Sequence, residues 1–329
     1  MSVNPDSLLN FISYLKPKRL DAWVIFYDSK YHKNIVHALE KQLSTIQSFD
    51  LQNVTVEEIR SIDSKYYQKT EIGILFFSIF VHAEEHTEQY LQAYEMMNVF
   101  DTWDGTKSII CDEVTDENFN DIFSENPKII AQNCKNLKKK LDKDEKLIFQ
   151  DGNNSKLTLK HNPLSASIYD GFQSHEHNIP SGEVAYEAVG VDGVLHLHGW
   201  IIGTIPFGQK YGKILPEEIT IYFENGRIVK VIGNNQKLIS DFETVGSKNK
   251  ALWRVAEIGI GVNNAVLRAS VGAKVGYEWM EKRKGLHLGL GAELTEHIDD
   301  YRNRKTHHHL DLIINSGSLS IGKEEIKVW

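Results

Sequence analysis

Fourteen histidines in 329 residues are many, and they cluster. In His307-His308-His309-Leu310-Asp311 an extended backbone would point His309 and Asp311 the same way, offering one imidazole nitrogen and one carboxylate to a single ion. The apolar run Leu312-Ile313-Ile314 follows and would anchor that strand in a core. A polar loop running into a strand gives the same letters. His82-Ala83-Glu84-Glu85-His86 has the H-x-x-E-H spacing in which two imidazoles one helical turn apart grip zinc beside a carboxylate base. That short pattern recurs by chance in a His-rich chain. A strand-to-helix loop, with one histidine reaching into a neighbouring cleft, is the alternative. His175-Glu176-His177 and His196-Leu197-His198 have i, i+2 spacing, which puts each pair on one face of a strand, as metal ligands or as solvated imidazoles.

These residues need elements to hold them. In the first half, Ala22 to Tyr27, Val54 to Val56, Ile72 to Val81 and Lys107 to Cys111 read as strands. Between them, Tyr31 to Ile46 and Thr87 to Phe100 read as helices, and Lys128 to Leu141 closes the series with three lysines near its end, where cations suit the helix dipole. Strands alternating with helices of this length predict an α/β domain with a parallel sheet over residues 1–145. Residues 146–329 read as a mixed α+β domain rich in antiparallel strands. Lys146 to Phe149 and Lys156 to Lys160 flank a turn, and Ile219 to Phe223 and Arg227 to Ile232 flank Glu224-Asn225-Gly226. Asn-Gly supplies the positive φ angles of a tight hairpin. Helices are expected at Asn235 to Val245 and Val262 to Ser270. No internal repeat or low-complexity linker separates the halves, so the boundary rests on the change of pattern.

Five fragments of the second half gain weight in order. They are Ile179-Pro180-Ser181-Gly182-Glu183-Val184; Glu257-Ile258-Gly259-Ile260-Gly261-Val262-Asn263; Glu281-Lys282; His287-Leu288-Gly289-Leu290-Gly291; and His309-Leu310-Asp311. The series resembles the thermophilic (M29) metallo-aminopeptidases, whose pattern runs IP-x-GEV, E-x-(A/G)-x-G-x-N, Glu-Lys or Glu-Asn, H-x-A-x-G and H-x-D, and it covers roughly residues 170 to 315. The resemblance implies a C-terminal domain holding two divalent ions (Zn²⁺, Co²⁺ or Mn²⁺). Glu183, Glu257, His287, His309 and Asp311 would be ligands, and Glu281 a catalytic base or further ligand. Two ions would polarise a carbonyl and activate water, a nearby Glu would pass the proton to the leaving amine, and N-terminal residues would be removed from peptides. A homodimer is also implied. Three departures stand out: Gly289 replaces the motif's Ala, Leu294 occupies the family's Tyr position, and Glu278 competes with Glu281 for the carboxylate role.

The same fold is shared by an iron enzyme, 2,5-dihydroxypyridine 5,6-dioxygenase, which opens an aromatic ring with one Fe(II) on two histidines and an aspartate. His309 and Asp311 would supply two such ligands; the third would be His287, or a histidine at the position where this chain has Glu257. Glu257 fits the two-metal hydrolase pattern better, while the extra histidines and the absent Tyr fit iron. A third reading keeps the cleft without turnover, as a peptide-binding partner in a biosynthetic assembly.

Composition limits the rest. Lys plus Arg is 37 against 45 Asp plus Glu, a formal charge of −8, which argues against a protein built to neutralise nucleic-acid phosphates. With 41% hydrophobic and 25% charged residues the chain carries enough apolar surface for a substantial core. Two cysteines, Cys111 and Cys134, supply neither a disulfide framework nor a thiolate cage. No secretory signal is expected in Met1 to Asn10, and the longest apolar run, Ile72 to Val81, is half the length of a membrane span. The sequence alone therefore points to a cytoplasmic protein acting on a peptide or small molecule.

Overall fold

The computed structural model describes residues 2–15, 23–43, 46–53, 58, 72–77, 107–142, 146–172, 179–203, 205, 207–291, 309–322 and 324–326. They fall into two compact units. The first comprises Met1–Ala131, Tyr169–Ser181 and Asn264–Ala269; the second comprises Gln132–Ile168, Gly182–Asn263 and Ser270–Trp329.

The first unit holds a four-stranded parallel sheet in the order β2-β1-β3-β4: β1 Trp23–Tyr27, β2 Ile46–Asp50, β3 Ile72–Phe77 and β4 Lys107–Asp112. Trp23 to Phe26 are all buried, as a central strand covered on both faces requires. Asp28 ends β1 and caps the helix Ser29–Gln42, its side chain accepting from the Lys30 N–H, while Ile35, Val36 and Leu39 turn inward. The helix stops at Gln42, short of the expected Ile46. Leu43 is already extended, and Ile46 to Asp50 run parallel to β1, where Phe49 stacks on Phe26 at 5.3 Å. Ile46 continues the helical rhythm, yet its β-branched side chain suits the strand equally. The expected strand at Val54–Val56 and helix at Thr87–Phe100 lie outside the described residues.

The second unit is organised by a large sheet of antiparallel pairs, whose main path runs β16-β15-β5-β6-β8-β12-β13-β14-β9. Its strands are β5 Leu147–Gln150, β6 Lys156–His161, β7 Ser167–Tyr169, β8 Glu183–His196, β9 Gly199–Gly203, β10 Thr220–Glu224, β11 Arg227–Ile232, β12 Val255–Gly261, β13 Gly285–Gly291, β14 His309–Ile314, β15 Ser318–Ile321 and β16 Glu324–Ile326. The fourteen-residue β8 is the spine. Its first residues, Glu183 to Glu187, pair with β12, and its later ones pair with β6 and β10. The β10–β11 hairpin turns on Asn225 (φ 51°) and Gly226 (φ 74°), the two positive angles that Asn-Gly predicts. The expected C-terminal helices form as Gln236–Lys248 and Asn264–Ser270.

Candidate metal centre

The site is built on one face of β8, β12, β13 and β14, and two of its strands show how. Val255-Ala256-Glu257-Ile258-Gly259-Ile260-Gly261 and Gly285-Leu286-His287-Leu288-Gly289-Leu290-Gly291 each alternate large apolar residues with glycine or an ionisable group. Because side chains alternate across a strand, Ile258, Ile260, Leu286, Leu288 and Leu290 share one buried face and Glu257, Gly259, His287 and Gly289 share the other. The register then sets neighbours. Glu257 lies opposite Gly289, which lies opposite Asp311; His287 lies opposite Gly259; Glu183 lies opposite Gly261. Each of these ionisable side chains therefore has a glycine beside it on the next strand. At two positions the reason is space: a Cβ on Gly259 would sit 2.0 Å from His287 Nε2, and one on Gly289 would sit 2.8 Å from both Glu257 Cβ and His309 Cε1.

In the cleared space the ligand atoms of Glu183, Glu257 and His287 lie within 4.8 Å of one another, all buried. His287 Nε2 is 2.9 Å from Glu183 Oε1 and 3.5 Å from Glu257 Oε1. Despite this closeness, Glu183 Oε1 and His287 Nε2 make no hydrogen bond of acceptable geometry, and neither does Asp311 Oδ2. Buried polar atoms are almost always satisfied, and the gathering of three such atoms on one sheet face leaves acceptor and donor capacity there for a further partner. Beside them, His309 Nε2 is 3.1 Å from Asp311 Oδ1. On the other side the buried Lys282 ammonium bonds Glu183 Oε2 and lies 2.6 Å from Glu281 Oε1.

The electrostatics follow from this crowding of charge. Burial pushes the Glu183 carboxyl up, but the Lys282 ammonium and then His287 outweigh it and hold the group well below the usual carboxylate range. Glu257 lacks such a cation. Burial, reinforced by Glu183 and Asp311 and only partly countered by His287 and His309, pushes it up to about 7. Burial also raises Glu281. Burial opposes charge on both histidines, yet the Glu183 and Glu257 contacts lift His287 well above its ordinary value, and Asp311 lifts His309 to about 10. Two carboxylates in one cavity are thus pulled apart, one fixed as an anion and one poised near neutrality.

All six residues singled out from the sequence, Glu183, Glu257, Glu281, His287, His309 and Asp311, lie in the second unit, on neighbouring strands or on the short helix Glu278–Lys282 that leads into β13. Other candidates do not join them. His196 closes β8 with Nδ1 3.0 Å from Thr220 Oγ1, and His198 lies beyond the strand end, so the pair shares no strand face. His82, His86, His175, His177, His307, His308 and Leu294 lie outside the described residues. The sequence reading assigned no role to Lys282 or to the cleared positions Gly259 and Gly289. The repeated apolar-glycine alternation carried that signal, because a strand half made of glycine must be giving room to something.

No protein-family model matches the sequence, and no curated protein matches it. Among solved structures the fold is similar to that of 2,5-dihydroxypyridine dioxygenase from Pseudomonas putida KT2440. The likeness has a TM-score of 0.63 and 13% sequence identity, and it covers 97% of this chain and 94% of that one. The chain therefore shares its fold with a dioxygenase structure, and the comparisons do not show membership of the M29 peptidases.

Proposed function

We propose that this chain is a metal-dependent enzyme whose divalent ion is held by residues from Glu183, Glu257, His287, His309 and Asp311. The observation that carries the proposal is the set of buried, unsatisfied donors, Glu183 Oε1, His287 Nε2 and Asp311 Oδ2, on a face that glycines keep clear. Imidazole and carboxylate together suit zinc, manganese or ferrous iron, and the absence of cysteine disfavours softer ions. Ring-opening oxygenation of a small hydroxylated aromatic is the reading we place first. His287, His309 and Asp311 are the two histidines and one carboxylate that such a ferrous site would draw on, and the fold is similar to that of a dihydroxypyridine dioxygenase over nearly its whole length. When bound, ferrous iron supplies the redox chemistry of dioxygen attack on an electron-rich ring. The protein's own part is to manage a proton: Glu257, which this triad leaves unused, is buried beside His287 and is placed to accept one from a substrate hydroxyl.

A second reading, hydrolysis of a peptide or small amide, is favoured by one observation. Glu183 and Glu257 both flank His287, more carboxylate than a two-histidine, one-carboxylate site uses. Protein reconstituted anaerobically with Fe(II) is expected to consume dioxygen with 2,5-dihydroxypyridine or a related dihydroxylated ring, with loss of ring absorbance, and His309→Ala is expected to abolish it. Amine release from aminoacyl reporters with Co²⁺, Zn²⁺ or Mn²⁺, without dioxygen uptake, would establish the hydrolase instead. Metal binding with neither reaction would leave a peptide-binding role.

A further inference from the structure

Arg283, the residue after the short helix Glu278–Lys282, is 5% exposed and pairs with no carboxylate among the described residues. Its three guanidinium nitrogens donate instead to neutral oxygens. Nε bonds Ser270 Oγ at 2.9 Å, Nη1 bonds the Ile314 carbonyl at 3.0 Å, and Nη2 bonds the carbonyl and Oδ1 of Asn315 at 2.8 and 3.0 Å. The Arg283 Cζ stands 5.7 Å from the centre of the Trp200 ring on β9. A buried cation without a counter-ion is costly, so its place needs a reason other than charge pairing.

The reason lies where two ligand-bearing strands separate. The pairing of β13 with β14 runs from Gly291 opposite His309 to His287 opposite Ile313 and stops there. Before Gly285 the chain runs beside the end of β12 instead: Arg283 bridges to Asn263 and Lys284 to Gly261. The Asn263 N–H donates to the Lys282 carbonyl, and the Asn263 carbonyl accepts from the Lys284 N–H. Ile314 and Asn315 thus lie past the last β13 partner, and the guanidinium spans the gap to their carbonyls. A planar fork reaches successive carbonyls and a side-chain amide together; an ammonium is a point charge on a flexible stem. The backbone of Arg283 is therefore held to β12 and its side chain to β14, the strand that carries Asp311 and His309 just before Ile314. We propose that Arg283 is a positioning residue for the centre. It bonds none of the candidate ligands; acting through the end of β14, it sets how Asp311 and His309 stand against the donors of β12 and β13. The inference rests on the metal-site reading above and adds a residue outside the ligand set.

The test is Mn²⁺ affinity, by calorimetric titration of the whole chain at a temperature where circular dichroism shows each variant folded. Arg283→Lys keeps the charge and loses the fork. It is expected to bind Mn²⁺ about 10- to 100-fold more weakly than wild type, the range for residues that orient ligands. Arg283→Ala is expected to bind at least as weakly, and to regain affinity with added methylguanidinium but not with methylammonium. Leu238→Ala, at a fully buried position of the helix Gln236–Lys248, controls for stability and is expected to melt lower with wild-type affinity. Wild-type affinity in both Arg283 variants, or an equal loss in Leu238→Ala, would overturn the proposal and leave the metal-site reading intact. Rescue by methylammonium as well would make the role one of charge alone and overturn it too. Should neither Arg283 variant fold, Asn315→Ala decides, because it removes a single acceptor from the guanidinium. A smaller loss of affinity there supports the proposal, and wild-type affinity overturns it. Wild-type chain that takes up no Mn²⁺ would sink the metal-site reading and this inference with it.

Discussion

At the residue scale the centre depends as much on side chains that are missing as on those present. Gly259 owes its identity to His287, whose Nε2 occupies the volume a methyl group would need. Gly259→Ala is therefore expected to swing the imidazole away from Glu183 and Glu257. It should lower Mn²⁺ affinity more than tenfold in calorimetric titration and cost about 1–3 kcal/mol of stability through overpacking. Ala introduced at Gly272, which has open space around it, serves as the control and should change neither. Unchanged affinity in Gly259→Ala would mean that His287 is no ligand. The ionisable members of the site could be picked out because E-x-G-x-G, H-x-G-x-G and H-x-D are informative in order. Lys282 stands in the Glu281-Lys282 fragment, but only the fold, which buries it against Glu183, shows what it touches.

At the scale of elements, β1 and the helix after it show what sequence pattern conveys and where it stops. The strand's apolar run and the Asp28 cap are local signals, and both elements form where expected; the helix end is not local, because β2 competes for Ile46 through its pairing with Trp23. The same helix holds a fully buried histidine, His32, whose ring Nδ1 lies against the backbone of Asp28 and whose ionisation burial lowers to about 4. The sign is that of a base depressed by folding. The unfolded chain binds the proton first, so stability is complete above about 6.5 and declines as the pH falls toward 4, by about 3 kcal/mol at most. Thermal melting of wild type and His32→Leu across pH 7 to 4 should show this acid slope only in the wild type. Parallel slopes would assign acid sensitivity elsewhere.

At the scale of the whole molecule, one unit holds the parallel sheet and the other mostly antiparallel strands, and the sequence hides how the units are cut. Residues 169–181 and 264–269 belong to the first unit although they lie far along the chain, and nothing in their composition announces it. The candidate site draws only on the second unit. Mn²⁺ at a hundredfold excess over its dissociation constant should therefore stabilise that unit by about 2.7 kcal/mol and leave the acid-sensitive unit of His32 unmoved. Differential scanning calorimetry at pH 5, with and without the ion, checks this. A metal shift confined to the acid-sensitive transition would put the site in the wrong unit.

The ligand-bearing face joins residues 183, 257, 287 and 311 through three strand pairings, each between segments far apart in the chain. Contacts of that separation form late, after long loops have closed, and a slip of one position on any strand would exchange every donor for an apolar neighbour. An emerging chain thus lacks the full donor set until β14 has been made and correctly seated. The ion is a reporter of completed assembly, not its seed. In the cell, completion of the ion's donor set would coincide with the last step of maturation, and a chain truncated before His309 would compete for the ion with three of its five candidate ligands.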